Sequence, residues 1–137
     1  MKVREIYELA IQMGKKADPR GMAEIEKELA NNKKEYEKCP EEKKEYFDLE
    51  CLQNPYADSR ILAGDENAEV KSLMVGVDLE IGEVLLADRL REKGQAVDLL
   101  LAHHPEGKAL AALSQVMAMQ AGHMSAYGVL PDRKSVV

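Results

Sequence analysis

The sequence predicts an α/β fold: a parallel strand-helix-strand-helix unit with an N-terminal helical extension, forming an incomplete domain. Three observations predict it. "SLMVGVD" (72–78) and "AVDLLLAHH" (96–104) are short apolar runs of the kind that make buried strands. The segment between them has the length and pattern of a helix, so the two strands run parallel through a right-handed crossover. Residues 1–53, by contrast, are dense in charge and carry only narrow apolar stripes.

The elements follow in order. In "VREIYELAIQMG", Val3, Ile6, Leu9 and Ile11 lie mostly on one helical stripe, and Gly14 falls near the end. In "DPRGMAEIEKELANNKKEYEK", Asp18 suits an N-cap and Pro19 the first helical position; Met22, Ile25 and Leu29 then recur at helical spacing. "PEEKKEYFDLECL" predicts a third, shorter helix after Pro40. The run 33–45 mixes both charge signs, as a solvated helix face does. These helices are expected to pack on something else rather than form a core alone.

"NPYADSR" is a turn, through Asn54-Pro55 and Asp58-Ser59. "RIL" predicts a short strand and "GDENAE" a polar loop. "LEIGEVLLADRLREKG" predicts a helix with Ile81, Val84, Leu85 and Leu90 inward and Gly94 closing it. "GKALAALSQVMAMQAGHMSAYG" predicts one long helix ending at Gly128. Three parts result: a helical extension (1–53), the N-terminal part of an α/β domain (54–131), and a non-native tail (132–137). The tail is expected because "AYGV" should lead into a third strand. The chain gives "LPDRKSVV" instead, and its last six residues match one reading frame of a common sequencing-library adapter.

Composition narrows the function. A chain of 137 residues suits one domain with a real core. A net charge of -6 and a pI near 5.2 argue against nucleic acid as a bulk electrostatic partner. Cys39 and Cys51 form no C-x-x-C and read as two thiols in a reducing compartment. No apolar run has the length of a membrane span, and charges interrupt the N-terminus where a secretory signal would be apolar. The expected location is cytoplasmic, with no membrane partner.

The chemistry is expected at the C-terminal ends of the parallel strands, where open α/β sheets bind ligands. There the first strand ends at Asp78 and the second at His103 and His104. Adjacent residues of a regular strand face opposite sides, so the two imidazoles should not clasp one ion while still in the strand. A pair at the strand end is freer. It can place one imidazole on each of two metals, or one on a metal and one on a substrate. Imidazole suits zinc, iron, nickel and copper, and a carboxylate adds manganese. Plainer roles compete: packed, hydrogen-bonded histidines, and Asp78 as a helix N-cap. Glu83 suits the helix dipole. His123 reads as core or surface filling; Met117, Met119 and Met124 read as packing, with Met117 and Met124 on one buried face. Gly107-Lys108 is no phosphate loop, because Ala102 and Ala109 stand where the motif needs a glycine and a hydroxyl. The helix after Lys108 could still seat an anion.

Asp58, Gly64-Asp65, the strand ending in Val77-Asp78 and the strand ending in His103-His104-Pro105 together resemble the NGG-interacting-factor-three-like family. Its members are often described as GTP cyclohydrolase type 2 homologues or dinuclear metal-centre proteins. The resemblance covers roughly residues 56–128. It implies an α/β fold, a ring-like homo-oligomer and a two-metal site in which His103 and His104 each contact metal. Asp78 is then a rim or outer-sphere residue. The family completes its site with a later acidic residue and a C-terminal histidine/glutamate pair, which have no match here. "EGKAL" also departs from the family's apolar continuation. The resemblance names no substrate; because a pair of metals can activate water and clamp a phosphoryl group, the expected function is metal-dependent hydrolysis of a phosphoester or nucleotide-like substrate, with two divalent ions (zinc, iron or manganese) as cofactors. The alternative is a non-enzymatic metal-binding or regulatory assembly protein.

Overall fold

The computed structural model describes residues 1–129; the expected tail at 132–137 lies outside them. The fold is mixed α/β and mostly helical. Helices α1 (Val3–Ala17) and α2 (Met22–Lys38) are followed by two 3-10 turns, Glu41–Tyr46 and Leu49–Leu52. Then come β1 (Leu73–Gly76), α3 (Ile81–Glu92), β2 (Leu99–Ala102), α4 (Gly107–Ala111) and α5 (Leu113–Ala126).

The strands pair in parallel, with Leu73 opposite Leu99 and Gly76 opposite Ala102. Asp98 sets this register at the strand starts. Its carboxylate accepts from the Lys71 and Ser72 backbone N–H groups and from Ser72 Oγ, and its own N–H donates to Ser72 O. Those backbone and hydroxyl hydrogen bonds hold the carboxyl below the usual aspartate range.

Several local expectations change. The helix expected from Pro19 begins only at Met22. Asp18 turns its carboxylate to the Arg20 N–H and guanidinium instead of capping α2, and Gly21 takes the cap position at a φ of 80°. The helix after Pro40 is two 3-10 turns, because it lacks an apolar stripe wide enough to hold a full helix down. "RIL" is not a strand: Arg60 is drawn inward by its side chain. The long C-terminal helix is broken at Ala112. Val116 and half-buried Met119 carry the inner face of α5, while Met117 and Met124 are exposed, so the buried stripe is turned away from the heptad expected.

On α3, Ile81 is 86% exposed, Val84 and Leu85 are also exposed, and Leu90 is half-buried. The expected inward face is therefore not covered among the described residues. A two-stranded ribbon with strands about 5 Å apart is too narrow to bury a helix about 10 Å across.

The core lies instead around the N-terminal helices. Ile25 of α2 is fully buried. Ile11, Ala57, Val70, Ala109 and Val116 are buried with it. The chain start is tied to the approach to β1: Val70 N–H donates to Met1 O (2.7 Å) and Val3 N–H to Ala68 O (3.1 Å).

Gly14 faces this core directly. An added Cβ would stand 2.9 Å from Tyr56 Cε2, and the ring is held by its hydroxyl on Asp18. A helix-interior Gly→Ala change normally stabilises by about 1 kcal/mol. Overpacking costs about 1–3 kcal/mol, so Gly14→Ala is expected to be net destabilising. Gly82 in α3 has open space and no positive φ, so Gly82→Ala should stabilise by about 0.5–1 kcal/mol. Urea unfolding of both variants reads the opposite signs.

Candidate functional site

Backbone hydrogen bonding between the two segments runs on past the regular strands, outside the alternating parallel pattern. His103 N–H donates to Gly76 O (2.9 Å) and His104 N–H to Val77 O (2.8 Å). This carries the two histidines alongside the end of β1. Gly76 is required there. A Cβ would stand 2.7 Å from the Asp78 carbonyl oxygen and 2.8 Å from Leu79 Cδ2, so the chain can fold back only over a glycine. The turn brings Asp78 Oδ1 to 2.7 Å from His104 Nδ1. Both side chains are more than half exposed.

Asp78 is not the helix cap. Glu80 holds that position, and its N–H donates to Glu83 Oε2 at 2.9 Å. The Asp78 carboxylate is thus left to His104.

The two imidazoles stand side by side, ring centroids 5.2 Å apart and planes tilted by 34°. Alternation of faces ends with β2 at Ala102, so the histidines are not splayed to opposite sides. This removes the argument that they must serve separate ions: rings this close suit one ion or a neighbouring pair. The donors fit a divalent metal in kind. In number they are short of a closed site. Among the described residues no three His, Cys, Asp or Glu side chains gather into a metal-holding group.

The anion seat expected after Lys108 does not form in that way. The Ala109 and Leu110 N–H groups donate to Glu106 O. Lys108 Nζ reaches away from the rim to Glu50 Oε1 at 2.6 Å.

Two polar clusters escape sequence reading. In the first, Glu50 accepts from Tyr7 and Lys108, and Asn54 donates to the Tyr7 hydroxyl and to Ser59 O. Arg60, only 3% exposed at its side chain, donates to Tyr56 O, Ser59 O and Asp48. In the second, Asp18 (1% exposed at its side chain) is held by Arg20 and the Tyr56 hydroxyl, and Arg20 also pairs with Glu28. His123 Nε2 lies 3.3 Å from Asp18 Oδ1 but at an angle that makes no hydrogen bond.

Burial alone would raise the Asp18 carboxyl. The hydrogen bonds and charge of Arg20, with the Tyr56 hydroxyl, outweigh it and hold the group at about 2. A cavity of about 690 Å³ opens between the clusters, lined by Arg20, Arg60, Cys51, Val116 and Met119 among others. Burial, then the Asp48 charge, pushes the Cys51 thiol up, so it is not an activated nucleophile.

Comparison with protein families, with curated proteins and with solved structures finds nothing that matches this chain.

Proposed function

We propose that this chain is a divalent-metal-binding α/β protein whose rim at His103, His104 and Asp78 serves metal-dependent hydrolysis of a phosphoester or nucleotide-like substrate. One observation carries the reading: two exposed imidazoles stand side by side at the ends of parallel strands, one of them backed by a carboxylate. Parallel-strand ends are where open α/β sheets bind ligands. When bound, a divalent ion supplies Lewis acidity and an activated water as nucleophile. The chain's own part is to offer ring nitrogens from hydrogen-bonded backbone at the strand end and to fix the ring of His104.

In this reading residues 1–53 are a helical extension, and 54–131 are the N-terminal part of an incomplete metal-binding domain. The remaining ligands of a two-ion site come from outside the described residues. The apolar side chains left open on α3 and β1 (Ile81, Leu85, Val75) support a homo-oligomer, since exposed apolar patches mark surfaces that become covered. A cytoplasmic location belongs to the same reading. No helix among the described residues is long and apolar enough to cross a membrane.

Zinc titration tests the metal. Two imidazoles fall short of the four ligands a zinc site wants, so this chain is expected to bind zinc weakly, and His103→Ala/His104→Ala to abolish that binding with the fold intact. Tight binding by the chain alone overturns the incomplete-site part of the reading, and binding that survives the double substitution overturns the rim as the metal site. A phosphoesterase screen of the metal-loaded protein separates hydrolase from a non-enzymatic metal-binding or regulatory assembly protein. Turnover that the histidine substitutions remove supports the first, and metal binding without turnover the second.

A further inference from the structure

We propose that Asp78 is the positioning residue of His104: its carboxylate holds the Nδ1 proton and leaves Nε2 as the atom offered to a divalent cation. The inference rests on the metal-binding reading and adds which nitrogen binds and what aims it.

The geometry carries it. An ionised carboxylate only accepts hydrogen bonds, so a neutral His104 ring 2.7 Å from Asp78 Oδ1 carries its hydrogen on Nδ1. Its lone pair is then on Nε2. The arrangement is built by the backbone rather than by two long side chains meeting by chance. The His104 N–H to Val77 O bond sets the ring beside the residue that follows Val77. The close approach at Gly76 permits the fold-back that presents Asp78.

Asp78 also has no competing task in the helix start, which Glu80 and Glu83 complete between them. A polar contact this exposed adds little to stability. Orienting a ligating imidazole is the role such outer carboxylates have around metal sites. Among the described residues His103 has no such carboxylate partner, so the two rings are not equivalent there: His104 is backed by Asp78 and His103 is not.

The test uses the full chain labelled with 15N. Long-range proton–nitrogen correlations at mildly alkaline pH are expected to show His104 protonated at Nδ1 and bare at Nε2. Asp78→Ala should shift the ring toward the Nε2–H form. Asp78→Glu, which keeps an acceptor-only carboxylate, should restore the Nδ1–H form, whereas Asp78→Asn, whose amide N–H can donate to Nδ1, should not. Zinc titration followed on the histidine ring signals should show affinity falling about 10- to 100-fold in Asp78→Ala, with recovery in Asp78→Glu.

A wild-type His104 with its hydrogen on Nε2 overturns the proposal. So does zinc affinity that drops in His104→Ala but is unmoved in Asp78→Ala; the metal-binding reading survives that result. If neither histidine substitution changes zinc binding, the metal-binding reading falls and this proposal falls with it.

Discussion

Asp18→Ala is expected to lower the unfolding free energy by about 3–5 kcal/mol, toward the lower figure. The carboxylate is 1% exposed at its side chain, and Arg20 beside it is 11% exposed. Truncation leaves the Arg20 Nε and Nη2 donors and the Tyr56 hydroxyl without their acceptor. Glu28 still holds Nη1, which moderates the loss. The cost comes mainly from stranding a guanidinium in a dry place, not from the pair's own net attraction. Urea unfolding with an unchanged slope is the measurement. A loss under about 1 kcal/mol, the size expected of a surface pair, would mean that the cluster is not buried in solution.

The same cluster sets a pH dependence. The Asp18 carboxyl is held at about 2 against an ordinary 3.8. A depressed folded value stabilises above the unfolded value. The contribution is therefore complete above about 4 and fades as pH falls through about 2. At about 1.4 kcal/mol per pH unit it is worth about 2 kcal/mol. Tyr56 runs the other way. Burial, then the Asp18 charge and hydrogen bond, push its hydroxyl up to about 12. Its contribution is complete below about 10 and lost as pH rises through about 12. The two groups share one hydrogen bond, so their contributions do not add. Asp18→Ala should erase the acid limb and shrink the alkaline one, leaving the part due to burial.

Ile25→Ala is expected to cost about 2–5 kcal/mol. Ile25 is fully buried, on a helix that packs against α1 and the Leu49–Leu52 turn. Removing its outer carbons opens a cavity that helices pinned by Asp18–Arg20 and by Asn32 on Cys51 O cannot easily close. Ile25→Val should cost about 0.5–1.5 kcal/mol. Met22→Ala, on the same helix but half exposed, should stay within about 0.5 kcal/mol. Equal losses for Ile25→Ala and Met22→Ala would place the core elsewhere.

The parallel pair was legible because its signals are local: two apolar runs, a helix-length spacer and a polar residue at each strand end. The same topology rule located Asp78, His103 and His104 on one rim. What it could not supply was the relation between the rings. Alternation holds only while the backbone stays extended, and β2 ends one residue before the pair. Gly76 was readable in principle, as a glycine between valines inside a strand pattern. The Asp18 cluster was not. Asp18, Tyr56 and His123 lie far apart in sequence, and nothing in the pattern around each names the others. Asp18 looked like a helix cap because caps and buried ion-pair partners draw on the same residue type. The face of α5 was misread because methionine suits both surface and core.

The tie between Met1 and Val70 also orders events during folding. It closes a loop that holds α1, α2 and both 3-10 turns with a few backbone hydrogen bonds. Closing about 70 flexible residues costs roughly 4 kcal/mol of chain entropy, while each such bond returns only about 1 kcal/mol. Alone, the tie gains about as much as it costs, so it is expected to form late. Helices α1 and α2 must dock and shorten the path before Met1 can meet Val70. Weakening the tie should therefore leave the folding rate nearly untouched and speed unfolding, since its contacts are absent from the transition state.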